Sequence, residues 1–158
     1  MEQSPIDKLI NDISKLPGLG RRSAQRIALF LLKNKDKNLS PLIESLNLSY
    51  DKIIECSDCG NIDLQNPCNI CSNNSRDKYT ICIVEDVSDL WTFEKVGFYR
   101  GLYFVLGGSL SAMQGIGTDE LKLQNLINRI ESINAKEIIL ALSTTMEGQT
   151  TSFVIADK

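Results

Sequence analysis

The sequence of 158 residues contains no histidine. Imidazole is the usual general base near neutral pH and the commonest metal-ligating side chain. Its absence therefore excludes catalytic triads that act through histidine and zinc sites with mixed cysteine and histidine ligands. Any metal with soft ligands has to be bound by cysteine alone, and any catalysis has to use carboxylates, lysine, tyrosine or a metal.

Long hydrophobic runs are also lacking. No segment reaches the roughly 18 apolar residues that a membrane-spanning helix requires, and the N-terminus, MEQSPIDKLI, is too polar for a secretory signal peptide. With 42% hydrophobic and 23% charged residues, the composition is typical of a soluble globular protein. We therefore expect a cytoplasmic protein, in which clustered cysteines are metal ligands rather than disulfides.

Charged side chains are distributed unevenly. Residues 1–37 carry eight basic and four acidic side chains, whereas the remaining 121 residues carry nine basic and sixteen acidic ones. A basic head of net charge +4 thus precedes an acidic body of net charge −7, which suggests two different partners.

Residues 1–53 have helical periodicity, which predicts a segment of helices. Ser4-Pro5 is a typical capped helix start, and apolar residues recur at helical spacing until proline and glycine interrupt them. A second helix is predicted over about residues 21–33, and Ser40-Pro41 starts a third.

From residue 79 onward, strands alternate with helices, which predicts a parallel α/β layer. The predicted strands cover residues 79–84, 102–106 and 137–142. The predicted helices cover residues 87–96 and 120–133. Together with the helical first segment, this pattern predicts an α+β protein built from several modules.

A basic turn, LPGLGRRSAQR, separates the first two predicted helices. Gly18 and Gly20 allow a tight turn with positive φ and leave backbone N–H groups uncovered. The next helix adds its free N-terminal amides and the positive end of its dipole, which suit a phosphate. Arg22 and Arg26 are four residues apart and project from the same face. The pattern predicts binding to the DNA backbone without sequence preference, and the alternative is an ordinary loop beside solvated arginines.

Four cysteines in residues 54–78 have the spacing of metal ligands. Two C-x-x-C turns, separated by eight residues, can complete a tetrahedral thiolate site, and the ligands are Cys56, Cys59, Cys68 and Cys71. Four thiolates leave no position open for water, which favours a structural zinc ion; iron in a rubredoxin-like site is the alternative. Zinc binding supplies roughly 10–16 kcal/mol of apparent folding free energy, enough for a segment with few large apolar residues. Cys82 lies in a predicted strand and is expected to be a buried apolar side chain.

Acidic residues follow the first and third predicted strands. Glu85 and Asp89 come after the first strand, and Glu147 comes after the third. Because ligand sites of open α/β sheets lie at the carboxyl ends of the strands, we expect these carboxylates to converge and to bind Mg²⁺ or a basic partner. Asp86 is expected to cap the following helix.

Four consecutive segments closely resemble the RecR family of bacterial recombination mediators: LPGLGRRSAQRIALFLL, the two C-x-x-C turns, ICIVEDVSDLWTFEKVGFYRGLYFVLGGSLSAMQGIG and ALSTTMEGQTT. The resemblance implies a helix–hairpin–helix domain in residues 1–53, a four-cysteine zinc finger in residues 54–78 and a Toprim domain without its C-terminal part in residues 79–158. It implies a non-catalytic, DNA-binding protein of recombinational repair. Such proteins work with RecO and RecF to promote RecA loading at gapped or single-stranded DNA.

The resemblance also implies roles for individual residues. The implied DNA-binding set is Gly18, Gly20, Arg21, Arg22 and Arg26, with Arg21 at a common proline position. The implied zinc ligands are Cys56, Cys59, Cys68 and Cys71, and the implied RecO-binding residues are Glu85, Asp89 and Glu147. Two positions depart from the family pattern, because Gln149 replaces a usual glutamate and Phe104 replaces a common histidine.

Assembly is a further expectation from the resemblance. The family forms dimers and ring-shaped tetramers around DNA, whereas this chain stops at Lys158, well short of the family's usual end. We therefore expect the dimer contact of the helix–hairpin–helix domain to persist and the tetrameric ring to be weakened.

Two other functions fit parts of the sequence. A Toprim nuclease or primase would hold Mg²⁺ with Glu85 and a downstream acidic pair, but the corresponding triplet is Glu147-Gly148-Gln149 rather than Asp-x-Asp. A zinc-stabilised protein-interaction module would bind no DNA through Arg22 and Arg26. The missing acidic ligand and the lack of histidine favour a non-catalytic protein.

Overall fold

The computed structural model describes residues 4–111, 115, 117 and 121–158. The chain divides into two compact units, Met1–Lys52 and Ile53–Lys158. Each unit has its own apolar core. No helix in the described part of the chain is long and apolar enough to cross a membrane.

In its described residues, the first unit contains helices joined by turns and no strand. Helix α1 spans Pro5–Ser14, α2 spans Arg21–Lys33 and α3 spans Ser40–Lys52. A π-helical turn at Lys35–Leu39 leads directly into α3. The three helices confirm the periodicity of the sequence, whereas the π-helical turn was not predicted.

A small core joins α1 to α2. Ile10 of α1 packs with Ala24 and Ala28 of α2, and Leu9 and Ile13 lie at the margin of this cluster. Both alanines are fully buried, because their short side chains let the two helices approach closely. This contact holds the ends of the intervening basic turn.

Helix α3 has an exposed apolar surface. Within the described residues, none of the α3 side chains is buried. Five large apolar side chains of this helix are 41% to 88% exposed: Leu42, Ile43, Leu46, Leu48 and Tyr50. In α2, Leu29 and Phe30 are also exposed, at 44% and 60%. These exposed apolar side chains form a candidate interaction surface.

The second unit begins with a cysteine-rich module and continues as an α/β layer. The module contains strand β1 at Ile54–Glu55, strand β2 at Ile62–Asp63 and the short helix α4 at Asn69–Ser72. The strands of the layer are β3 at Thr80–Val84, β4 at Leu102–Val105 and β5 at Glu137–Ala141. Its helices are α5 at Val87–Val96, α6 at Leu123–Ile133 and α7 at Met146–Asp157.

The three strands of the layer form a parallel sheet in the order β4-β3-β5. One face packs against α6, where Ile81 and Ile83 of β3 meet Leu126. The opposite face packs against α5, where Val84 of β3 meets Leu90. Both faces of β3 are therefore buried, which explains its continuous apolar sequence.

The predicted strands and helices of the layer are confirmed, with small differences at their ends. Helix α6 begins at Leu123, whereas the predicted start at Glu120 lies outside the described residues. Helix α7 was not predicted, because its sequence, MEGQTTSFVIAD, has no apolar stripe at helical spacing.

Candidate functional site

Four cysteine side chains of the cysteine-rich module converge on one point. Their sulfur atoms all lie within 4.8 Å of one another, and the sulfurs of Cys59 and Cys68 are 3.6 Å apart. Sulfurs in a tetrahedral zinc site with Zn–S bonds of about 2.3 Å are about 3.8 Å apart, whereas a disulfide requires about 2.05 Å. The predicted ligands Cys56, Cys59, Cys68 and Cys71 therefore form a group that can hold one metal ion.

Two backbone turns bring the cysteine pairs together. The Gly60 N–H donates to the Cys56 carbonyl at 2.9 Å, with Gly60 at a φ of 76°. Cys68 precedes α4, and its carbonyl accepts the Ser72 N–H at 2.9 Å. The Cys68 N–H donates to the Cys56 sulfur at 3.3 Å, which connects the two turns. Hydrogen bonds of this kind orient the ligands of a metal site.

The close approach of the sulfurs changes the acidity of the thiols. The hydrogen bond with Cys59, and to a smaller extent the one with Cys71, lowers the pKa of Cys68. The hydrogen bond with Cys68 in turn raises the pKa of Cys59. Thiolate is the metal-binding form of cysteine, and several thiolates at this distance need a cation to neutralise them. Cys82 lies outside the cluster, as predicted, and burial in β3 raises its pKa to about 11.

The cysteine-rich module is hydrogen-bonded to the α/β layer. The Val105 N–H in β4 donates to the Cys59 carbonyl at 2.8 Å. The indole N–H of Trp91 in α5 donates to the side-chain carbonyl of Asn61 at 3.1 Å, and Asn61 is only 4% exposed. Both a strand and a helix of the layer therefore hold the module.

Two ion pairs from α6 and the segment before it reinforce this attachment. Arg129 Nη1 lies 3.0 Å from Asp58 Oδ2, and Lys122 pairs with Glu55. None of these contacts was predicted, because their partners are far apart in the chain and belong to no local motif.

The basic turn lies between α1 and α2, but only one of its two glycines has a left-handed backbone. Gly18 has a φ of 76°, a conformation that residues other than glycine rarely adopt. Gly20 has a φ of −84° and an extended backbone, so the prediction of a positive φ is wrong at Gly20. Gly20 instead immediately precedes α2, and its carbonyl accepts the Ala24 N–H at 3.0 Å.

The start of α2 is open to an incoming ligand. No side chain caps this helix start, and a Cβ placed on Gly20 would have no heavy atom within 4 Å. Neither backbone conformation nor packing thus requires glycine there, but the lack of a side chain leaves the first amides of α2 uncovered. Arg21, Arg22 and Arg26 are exposed beside them and form no ion pair with any described residue.

Two of the predicted carboxylates lie at the carboxyl end of the sheet. Glu85 Oε1 accepts the Ser143 N–H at 2.8 Å, which connects the end of β3 to the segment after β5. Gly148 in the first turn of α7 lies directly against Ser143, where a Cβ would overlap the carbonyl oxygen of Ser143. The preceding residue, Glu147, is exposed at the same end. Ser143 was missed because a serine between two elements carries no sequence signal.

The third carboxylate, Asp89, contributes to the start of α5. Asp86 caps the helix as predicted, since its Oδ1 accepts the Ser88 N–H at 2.8 Å, and Asp89 Oδ2 accepts the Asp86 N–H at 3.1 Å. These reciprocal bonds form a capping box, and the bonds from Ser88 lower the pKa of Asp86. Among the described residues, Glu85, Asp89 and Glu147 do not form a group close enough to hold a metal ion.

The two positions that depart from the expected pattern are both integrated into the fold. Gln149 Nε2 donates to the Thr144 carbonyl at 3.2 Å, a bond that a glutamate carboxylate cannot donate. Phe104 is 3% exposed and packs with Ile81 and Ile83 in the core.

Comparison with known proteins gives matches along nearly the whole chain. The Toprim domain family matches residues 79–158, and the family described as RecR, helix-hairpin-helix matches residues 6–48. A recombination protein RecR from Erythrobacter litoralis is 45% identical over 100% of this chain and 80% of its own length. Proteins of the same name from Rhizobium leguminosarum bv. trifolii and Hyphomonas neptunium are 48% and 50% identical, over 97% and 95% of this chain and 76% and 75% of their own lengths.

Proposed function

Because the chain belongs to the RecR family of recombination proteins, we propose that it is a non-catalytic, DNA-binding mediator of recombinational repair. In this proposal it acts in the cytoplasm with RecO, and with RecF, to promote RecA loading at gapped or single-stranded DNA. The observation that carries the DNA-binding role is the open start of α2 beside three exposed arginines.

DNA binding is assigned to the basic turn, and specifically to Gly18, Gly20, Arg21, Arg22 and Arg26. The left-handed backbone of Gly18 turns the chain, and Gly20 leaves the first amides of α2 accessible. These amides and the helix dipole favour a phosphate oxygen, while the arginines neutralise neighbouring phosphates. Contacts to the backbone carry no base information, so binding is expected to be independent of sequence and strongly dependent on salt.

The ligand of the four cysteines is proposed to be one structural zinc ion. Cys56, Cys59, Cys68 and Cys71 supply four soft sulfur ligands at distances that fit a tetrahedral site, with no fifth donor needed. A bound zinc ion would stabilise the two cysteine turns of the module, and the hydrogen bonds around these turns attach the module to the layer. Val105 and Trp91 hold the module in place through its backbone and through Asn61.

RecO is proposed to dock at the carboxyl end of the sheet, on Glu85, Asp89 and Glu147. Ser143 and Gly148 place two of these carboxylates at the same end of the layer. An acidic surface suits a basic partner, because complementary charge accelerates association and suppresses wrong partners.

A homodimer is proposed to form through the first unit. Helix α3 exposes apolar side chains that have no other cover in the described residues, and α2 adds Leu29 and Phe30. A two-fold contact between two such surfaces would bury them mutually, as isologous interfaces do. A tetrameric ring is proposed to be weaker than this dimer.

Three functional segments are proposed along the chain. Residues 1–53 bind DNA, residues 54–78 hold the metal, and residues 79–158 form the partner-binding Toprim layer. The cysteine-rich module and the layer belong to one compact unit of the fold, in agreement with a structural task for the metal.

Charge reversal at the basic turn tests the DNA-binding role. Arg22→Glu with Arg26→Glu is expected to weaken binding to a fluorescently labelled gapped duplex by about tenfold or more and to lower the salt slope. Lys35→Glu with Lys37→Glu makes the same charge change on the exposed π-helical turn and serves as the matched control. Equal losses in both double variants, or no loss in the first, would contradict the proposed site.

A further inference from the structure

Trp91 is the only tryptophan of the sequence and is half-exposed on α5. Its exposed fraction is 52%, whereas the adjacent Leu90 is fully buried in the core. The indole N–H donates to the Asn61 side-chain carbonyl at 3.1 Å. Asn61 is itself fixed, because its backbone carbonyl accepts the Cys56 N–H at 2.7 Å. The orientation of the indole ring is thus set by the cysteine-rich module as well as by α5.

A fixed, exposed indole is well suited to binding another molecule. Tryptophan has only two side-chain torsions, and a hydrogen bond at one edge restricts them before any partner arrives. A partner that stacks on the ring therefore loses little conformational entropy of Trp91. Tryptophan is also enriched among the residues that contribute most to binding at protein interfaces.

The charge of the second unit favours a basic partner. Residues 53–158 carry fourteen acidic and eight basic side chains. Three of the basic ones are neutralised within the described residues, in the pairs Arg76–Glu94, Lys122–Glu55 and Arg129–Asp58. Eleven acidic and five basic side chains are left outside these pairs. This excess of acidic side chains in the unit as a whole favours association with a cationic protein over association with a phosphate backbone.

We propose that Trp91 is the aromatic anchor of a docking surface for a basic protein partner, with an arginine of that partner stacked on the indole ring. The arginine guanidinium is planar and weakly hydrated, and tryptophan gives the strongest cation–π contact of the aromatic side chains. Asn61 is a positioning residue in this arrangement, because it holds the ring without reaching the partner. Partner docking at this surface therefore depends on the integrity of the cysteine-rich module.

Only the choice of protein probe depends on the function proposed above. Titration of RecO against the full chain is expected to give at least tenfold weaker binding for Trp91→Ala. Trp91→Phe keeps a ring but loses the N–H donor, and an intermediate loss is expected. Phe98→Ala is the matched control, because Phe98 is 73% exposed and has no polar edge to anchor it. Loss of RecO binding in Glu85→Gln with full binding in Trp91→Ala would overturn the proposal for Trp91 and leave the RecO assignment intact.

A second probe is independent of RecO. The fluorescence of the single tryptophan reports directly on its own surroundings, so nona-arginine and nona-lysine peptides can be compared on the wild-type chain. Nona-arginine is expected to quench Trp91 and to bind at least threefold more tightly than nona-lysine. Equal binding of the two peptides would contradict stacking, whether or not RecO binds.

Substitution of Lys95 distinguishes a basic protein partner from single-stranded DNA. It is exposed one helical turn after Trp91 on the same side of α5. Lys95→Glu is expected to strengthen binding of nona-arginine. If this surface binds unpaired bases instead, Lys95→Glu will weaken quenching of Trp91 by oligo(dT) in a chain that also carries Arg22→Glu and Arg26→Glu. That second result would overturn the proposal.

Discussion

The backbone N–H of Val105 donates to the carbonyl of Cys59 at 2.8 Å, so the edge strand β4 is paired with the first cysteine turn. An edge strand without such cover presents unpaired backbone groups to other chains. Gly60 permits the close approach, because a Cβ there would lie 3.2 Å from the Val105 carbonyl oxygen. The cysteine-rich module thus covers the edge of the sheet that is formed by β4.

Removal of the metal is therefore expected to unfold the cysteine-rich module and to break the hydrogen bond that covers the edge of β4. Hydrogen exchange measured by mass spectrometry should show loss of protection at residues 54–78 and at the Val105 amide after chelation with EDTA. Helices α1 and α2 should keep their protection, because they belong to a separate compact unit. Atomic absorption of the untreated protein should give one zinc ion per chain.

Two cysteine variants control this experiment. Cys68→Ser should reproduce the effect of EDTA, whereas Cys82→Ser should retain the zinc ion, because Cys82 is buried in β3 outside the cluster. A Val105 amide that stays protected after complete loss of zinc would show that the sheet edge does not depend on the metal.

The exposed apolar side of α3 predicts a dimer that a single charge can dissociate. Leu42, Ile43, Leu46 and Tyr50 share one side of the helix by their spacing, whereas Leu48 lies on the other side. Leu46→Glu is expected to convert the dimer to a monomer in sedimentation equilibrium, because the glutamate would be buried without a partner. Leu48→Glu introduces the same charge at a residue of similar exposure, 55% against 59%. A monomeric wild-type chain, or a dimeric Leu46→Glu variant, would contradict this assignment.

The helices and strands could be predicted where one physical pattern dominates. The apolar run of β3 is buried on both faces, and the apolar residues of α2 recur at helical spacing, so both elements have a strong sequence signal. Helix α7 has no such signal, because its buried residues are Gly148 and Thr151, and only the consecutive pair Val154 and Ile155 packs against the apolar core. Its position depends on tertiary contacts that local sequence does not encode.

The candidate sites were predictable where the ligands themselves are spaced in a motif. The two C-x-x-C motifs predict the group of four cysteines, and the glycines and arginines of the basic turn predict the open start of α2. The contacts that position Trp91 and Glu85 have no sequence signal, because Asn61 holds Trp91 and Ser143 holds Glu85 across gaps of 30 and 58 residues. The backbone of Gly20 was also mispredicted, since glycine occurs there for accessibility and not for a positive φ.

The two glycines of the basic turn are expected to separate stability from DNA binding. Gly18→Ala should lower the stability of the first unit by about 1–2 kcal/mol, because alanine is strained at a φ of 76°. Gly20→Ser should leave stability unchanged or raise it slightly, because serine is a preferred N-cap residue and has room there. Its hydroxyl would nevertheless compete for the amides at the start of α2, so DNA binding should weaken.

Thermal unfolding and fluorescence anisotropy on gapped DNA check the two glycine variants together. The basic-turn assignment requires that Gly20→Ser bind DNA less tightly than the wild type at an unchanged or higher melting temperature. Wild-type affinity in Gly20→Ser would mean that the amides of α2 do not contact the phosphate.

The capping box of α5 predicts a pH-dependent contribution to stability. Bonds from Ser88 hold the pKa of Asp86 below its ordinary value of 3.8, so the ionised carboxylate stabilises the folded state at neutral pH. This contribution is fully present above the unfolded pKa and is lost as the pH falls through the lowered folded pKa. Asp86→Ala is expected to cost about 1 kcal/mol at pH 7 in urea unfolding, with a smaller difference from the wild type at pH 2.5. Asp86→Asn keeps an acceptor for the Ser88 N–H and should lose less at pH 7. An Asp86→Ala difference that stays constant between pH 7 and pH 2.5 would show that the ionised carboxylate makes no contribution through this cap.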